Sequence, residues 1–425
     1  MTPDNFPIER IRAAFPALSI TDEGRPRVYF DNPAGTQVPQ AVIDRTVEAL
    51  KAKNANLGGF FVTTREATDM VDEAHAAMAD FYNAASPEEI VFGQNMTSLT
   101  LHMSRCLAKG FRAGDEIVLS RMDHDANVAP WLLVAEDVGM AVKWVDFDPE
   151  SCEFPEDALD KVLSDRTRLF AIGFASNCTG SINDVKAMAA KARAAGALVY
   201  VDAVQYAPHC GIDVQTLGAD FLVSSAYKWF GPHQGILWGR REALERTFSY
   251  KVRPAGNELP HRFETGTLSH EGMAGSIGAI DYLARIGEDV AQDRHRASYS
   301  GMSRRGAAIH AAFDVLTEWE HVLCRRLIDG LSEFKGLKIH GVTSANAMHR
   351  RVPTVSFSLA SHHPADLAKG FANENIFVWS GHNYAVEPVT RMGLMEKGGV
   401  LRVGLAHYNT PEEVDALLGT LQAML

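Results

Sequence analysis

The sequence predicts an α/β protein: a large domain built on a parallel sheet with helical crossovers, followed by a smaller α+β domain. Three observations carry this. Between about residues 88 and 240, short apolar, β-rich runs alternate with helix-forming stretches, the pattern of strands joined by crossover helices. After about residue 290 the helical segments lengthen and a few strands follow. The chain has 425 residues, more than one ordinary core serves and enough for a large domain plus a smaller one.

In chain order, residues 1–22 are expected to form an arm packing back on the small domain, 23–290 the large domain and 291–425 the small one. EIVFG (89–93), EIVLS (116–120), VKWVDF (142–147), RLFAIGF (168–174), ALVYVDA (197–203) and DFLVSSA (220–226) read as strands buried on both faces. Between them, DVKAMAAKARAAG (184–196) has strong helix formers, an aspartate at its start and a glycine stop. In the last part of the chain VPTVSFSL (352–359), NIFVWSG (375–381) and VLRVGLA (400–406) read as strands. Parallel sheets place ligands at the carboxyl ends of their strands, so the chemistry is sought there.

Composition narrows the function. Hydrophobic residues make up 46% and charged residues 22%, with a net charge of -12, which suits a globular protein and gives no basic surface for nucleic acid or anionic membranes. The N-terminal MTPDNFPIERIRAAFPALS lacks a basic region followed by an apolar one, and no run reaches the roughly 18 to 20 apolar residues of a membrane helix, so a cytoplasmic location is expected. Five cysteines, odd in number and without CxxC pairs, suggest neither a disulfide framework nor a zinc site.

Two strand ends hold charged residues. Asp202 closes the apolar ALVYV, where a carboxylate is costly to bury without a positive partner; alone, it could equally cap a helix. Lys228, just past DFLVSSA, either snorkels to the surface or is desolvated, and a desolvated amine has the lowered pKa that a Schiff-base nucleophile requires.

VYFDNPAGTQVP, VDAVQYAPH, GADFLVSSAYKWFGPHQGILWG and LRVGLAHYNTPEEVDAL together resemble the class V aminotransferase family, within the type I fold of pyridoxal 5'-phosphate (PLP) enzymes, and most closely its cysteine desulfurase and selenocysteine lyase branch. The resemblance runs through the whole chain. It implies a mostly parallel seven-stranded sheet, a homodimer with composite active sites, and an amino acid as substrate. It points to Lys228 as the lysine that holds PLP as a Schiff base and then moves the α-proton, and to Asp202 as the partner of the pyridinium nitrogen. Gln205 and Asn177 match contacts to the ring hydroxyl, and His124 the histidine stacked on the ring. For the phosphate it implies Met96 and Thr97 at a helix start in GQNMTSLTLHMSR, Ser225, Tyr227 in place of a histidine, and Thr267 in RFETGTLSHEG reaching from a partner subunit.

On the substrate side, Arg402 matches the arginine that grips the α-carboxylate. VWSGHNYAVEP (378–388) matches the loop that carries the desulfurase cysteine. Its SGH, with His382, aligns, but the cysteine position reads Tyr384 and the loop arginine reads Trp379. A phenol cannot take sulfur as a persulfide, which needs a thiolate. The remaining apparatus suits a β-eliminating C–S or C–Se lyase, an aminotransferase or an epimerase, with Trp379 and Tyr384 lining the substrate pocket. A PLP-fold protein retired from catalysis is the rival of a different class.

Overall fold

The computed structural model describes residues 6–291 and 297–425. The six apolar runs of the first part form β1 (Ile90–Gly93), β2 (Glu116–Ser120), β3 (Ala141–Val145), β4 (Thr167–Gly173), β5 (Leu198–Asp202) and β6 (Phe221–Ser225). A seventh strand, β7 (Gly235–Gly239), completes a sheet ordered β1-β7-β6-β5-β4-β2-β3. The pairs from β6 through β3 are parallel, whereas β7 lies antiparallel to both β6 and β1. Residues 226–234 between β6 and β7 are too few for a crossover, which takes roughly a dozen residues or more, so the chain turns back. The resulting α/β fold is the one expected.

β3 departs from the expectation of strands buried on both faces. It is the edge strand beside β2, and Ala141 and Lys143 are exposed. The other five predicted strands are almost wholly buried. The helix Val185–Ala194 starts where its capping signal stands: Asp184 accepts from Ala187 N at 3.0 Å. The helix Met96–Ala108 is likewise capped by Asn95, which accepts from Ser98 N at 2.9 Å.

The smaller C-terminal domain holds an antiparallel sheet of β8 (Leu337–His340), β9 (Thr354–Leu359), β10 (Trp379–Gly381) and β11 (Val400–Gly404), ordered β8-β9-β11-β10. The expected single strand 375–381 is divided. Ile376–Phe377 pairs in parallel with Val28–Tyr29, and only Trp379–Gly381 joins the sheet, opposite Val400–Arg402. β8 was not among the expected strands; its residues Lys338 and Ile339 are not buried, so it lacks an apolar run. Residues 1–5 of the expected arm lie outside the described residues, as do 292–296 just past the expected domain boundary. The rest of the arm meets the C-terminal part: the Phe6 ring stacks on Trp319 at 4.6 Å, and Arg12 donates to Tyr408 O at 2.7 Å and to Glu413 at 2.9 Å. No helix among the described residues is long and apolar enough to cross a membrane.

The large domain leans on the helix His270–Asp289, which packs between Gln40–Ala52 and the long helix Arg304–Ser332. Its glycines permit that approach. A Cβ on Gly278 would sit 2.6 Å from Ala41 O, a contact that backbone must move to relieve. Gly278→Ala is therefore expected to destabilise the protein by about 1–3 kcal/mol, read as a lowered midpoint in urea unfolding.

Candidate active site

The carboxyl ends of the parallel strands converge. β5 ends on Asp202, and β4 ends on Gly173, with Asn177 four residues on. β6 ends on Ser225 and runs into the short turn Ala226–Lys228. β2 leads to His124, and β1 leads to the start of the helix Met96–Ala108. From the small domain come Trp379 on β10, Tyr384 beyond it and Arg402 on β11. Together they enclose a cavity of about 700 Å3 lined by Met96, Thr97, His124, Asn177, Asp202, Gln205, Ser225, Tyr227, Lys228, Trp379, Tyr384 and Arg402. Two sequence-expected residues lie outside it. Thr267 borders a separate cavity of about 260 Å3 with Gln234 and His102. His382 stands behind Tyr384, its Nδ1 accepting from Tyr384 N at 3.1 Å.

The charged groups are held where water is scarce. Burial first, and the charge of Arg402 second, push the Lys228 amine down to about 7. Its Nζ donates to Pro33 O at 2.5 Å and Ala34 O at 3.0 Å. Burial pushes Asp202 up to about 6, opposed by a hydrogen bond from Val204 N at 2.8 Å and by Lys228. Arg402 is buried; it donates to Asn177 O at 3.2 Å and lies 3.4 Å from Asp31. His124 is driven down to about 3 by burial, then by Lys228 and Arg402, so it is neutral at ordinary pH. Its Nδ1 accepts from Ala126 N at 3.0 Å, which leaves the proton on Nε2.

The donor set fits PLP. Four buried polar atoms of the lining residues have no partner among the described residues: Asn177 Oδ1, Gln205 Oε1, Asn383 Oδ1 and Arg402 Nε. Buried polar groups rarely stay unpaired, so each is available to a bound group. Met96 N, at the helix start, donates to Ser225 Oγ at 2.9 Å, which joins the helix N-terminus and the β6 hydroxyl into one anion cradle. Gly235 makes that junction possible, because a Cβ there would lie 2.5 Å from the Asn95 backbone. Lys228 and Asp202 open onto the same cavity, as an imine-forming amine and a pyridinium partner must.

Several lining residues were not singled out from the sequence. Asp123, beside His124, is a second buried carboxylate, pushed up to about 7 by burial. It accepts from Gly173 N at 2.8 Å and Asn127 Nδ2 at 2.7 Å, tying the histidine loop to the end of β4. The Tyr227 ring stacks on His233, with ring centres 4.8 Å apart. The Asn383 carbonyl accepts from Asn177 Nδ2 at 2.8 Å. Asp31, which lies 3.4 Å from Arg402 rather than in the lining, was legible in principle, since in FDNPAG it stands at an apolar run's end as Asp202 does.

The Tyr384 ring lies nearly parallel to His124, centres 5.5 Å apart, and its carbonyl accepts from Asp125 N at 2.8 Å. None of the five cysteines lines the cavity. Burial raises every one of these thiols, Cys178, next to Asn177, to about 12.

The family model Aminotransferase class-V matches residues 28–305 and 307–417. Cysteine desulfurase from Yersinia pestis (strain Pestoides F) is 33% identical over 433 residues, covering 98% of this chain and 98% of its own. Among solved structures, the apo cysteine desulfurase from Thermococcus onnurineus NA1 superposes with a TM-score of 0.86 at 27% identity, covering 100% of this chain and 99% of that one. Cysteine desulfurase CsdA from Escherichia coli does so at 0.81 and 27%, over 98% of each. With a family match across nearly its whole length and a cavity whose buried groups suit the family's cofactor, the chain belongs to the class V aminotransferases, a family of PLP-dependent enzymes.

Proposed function

We propose that this enzyme labilises the Cα–H bond of an amino acid and expels a sulfur or selenium substituent from its β-carbon, as a C–S or C–Se lyase. The observation that carries the reading is a cavity lined by no cysteine, in keeping with the resemblance that sets Tyr384 where the desulfurase loop carries its thiol. A persulfide needs a thiolate to form on, and thiols held at about 11 to 12 by burial stay protonated. The acid–base groups are otherwise complete.

When bound, PLP supplies an electron sink for the carbanion at Cα. Asp202 holds the proton on the pyridine nitrogen that keeps the sink open. Lys228, whose amine burial brings down to about 7, would take the α-proton in its neutral form. Arg402 grips the α-carboxylate through its unpaired Nε–H. His124 would cover the ring, and Asn177 and Gln205 would hold its hydroxyl. Met96, Thr97, Ser225 and Tyr227 hold the phosphate, joined by Thr267 from a second copy in a homodimer. Trp379 and Tyr384 meet the departing side chain at the mouth, where both are more than half exposed. Five unpaired cysteines suit a reducing, cytoplasmic setting.

Holoenzyme given L-cysteine or L-selenocysteine is expected to release pyruvate together with sulfide or selenide; alanine with enzyme-bound sulfur would overturn the lyase reading, and an amine passed to a 2-oxo acid would select transamination. Apoprotein should capture added PLP, seen as a visible band near about 410–430 nm, at a rate that rises with pH through a midpoint near 7 and levels off above it, because only the neutral Lys228 amine attacks. Lys228→Ala should give no such band. Asp202→Ala should lower kcat by about a hundredfold or more, and Arg402→Ala should chiefly raise KM by about tenfold to a hundredfold, both measured by pyruvate release.

A further inference from the structure

Beside the cavity, against Arg402, lies a carboxylate that none of these roles uses. Asp31 follows Val28–Tyr29 and bridges to Gly404, two residues beyond Arg402 on β11. Its side chain is only 15% exposed, and Oδ1 lies 3.4 Å from Arg402 NH2. The next residues, Pro33 and Ala34, turn their carbonyls onto Lys228 Nζ. Asp31 also faces Lys228: its charge acts on the amine, and the amine acts on it. The carboxylate therefore lies against the guanidinium that receives an α-carboxylate and within electrostatic reach of the amine that an incoming amino group must displace. Its hydrogen bond to Arg402 is long and single, and Arg402 Nε has no partner at all, so the guanidinium is left with donors to spare.

A lone carboxylate arriving at Arg402 meets this fixed negative charge a few ångströms away and is repelled by it. An amino acid brings its own ammonium. That group must approach Lys228 Nζ to react, and there it meets the two carbonyls as acceptors and the negative charge of Asp31, which already acts on the Lys228 amine. We infer that Asp31 pairs with the substrate's α-ammonium beside the Arg402 grip on its carboxylate, so that the subsite selects zwitterionic amino acids over carboxylates that lack the amino group. This rests on the assignment of Arg402 as the carboxylate grip. It also bears on the reaction class: an aminotransferase must readmit a 2-oxo acid, and Asp31 disfavours one, whereas a lyase needs only the amino acid.

The test compares L-alanine with propionate, the same carbon skeleton with and without the ammonium, on the holoenzyme. L-alanine is followed by the change in the visible band, and propionate by its competition with L-alanine. In Asp31→Asn the L-alanine dissociation constant is expected to rise while that of propionate falls or stays, so that their ratio shifts by about tenfold or more toward propionate. An unchanged ratio, with both constants moving by the same factor or neither moving, overturns the inference. Asp31→Ser puts the same question if the asparagine variant does not hold the cofactor. Arg402→Gln separates the two assignments: it should weaken both ligands, and if it weakens neither, the carboxylate grip itself is misassigned.

Discussion

The structure turns on the burial of opposite charges in and beside one cavity. Taken singly, Lys228, Arg402, Asp202 and Asp31 are each pushed by burial toward their neutral forms, the amine and guanidinium downward and the carboxylates upward. Each is then drawn back by a neighbour of opposite sign, Asp202 by Lys228, and Asp31 by both Arg402 and Lys228. Such an arrangement is costly to assemble and contributes little to stability, which is the pattern of a reactive site rather than of a packing core. The sheet makes it feasible, since parallel strands bring their carboxyl ends to one edge, where helix N-termini add positive potential.

That cavity is assembled from three separated stretches of chain. The strand ends of the large domain hold Asp202, Asn177 and Lys228, and β11 of the small domain brings Arg402. The extended segment 28–34 closes the remaining side. Its position is set by pairing of Val28–Tyr29 with Ile376–Phe377, and by Asn32, whose side chain donates to Gly404 O at 2.7 Å and Asn409 Oδ1 at 3.1 Å. The same residues that fasten the N-terminal segment to the small domain thus place Pro33 and Ala34 against the Lys228 amine. Loosening either domain from this segment would disturb both charged groups at once.

The Tyr384 loop is bound to the large domain at several points. Asn177 Nδ2 donates to Asn383 O, Arg121 pairs with Glu387, and Arg391 donates to Asp146 at 2.8 Å. Asn383 and Tyr384 have φ values of 52° and 56°, a left-handed backbone that non-glycine residues seldom adopt and that surrounding contacts must impose. The aromatic ring over His124 is therefore held in place by the domain contact rather than by local preference.

Local sequence determined the alternation of strands and helices, because burial on both faces leaves an apolar run and a helix leaves its caps, as at Asp184 and Asn95. It also marked Lys228 and Asp202 as candidates, because charged residues at the ends of apolar runs are visible without a fold, and the family resemblance gave them their proposed roles. It did not separate β7 from the turn before it, since nothing in GILWG tells which way the strand runs; that followed from the shortness of residues 226–234. Nor could it show that NIFVWSG divides between two partners, or that Asp31 meets Arg402 across 371 positions of chain. Those are matters of pairing between distant segments. Hydrophobic pattern specifies which face of an element is buried, but the neighbour it is buried against is chosen only when the whole chain packs.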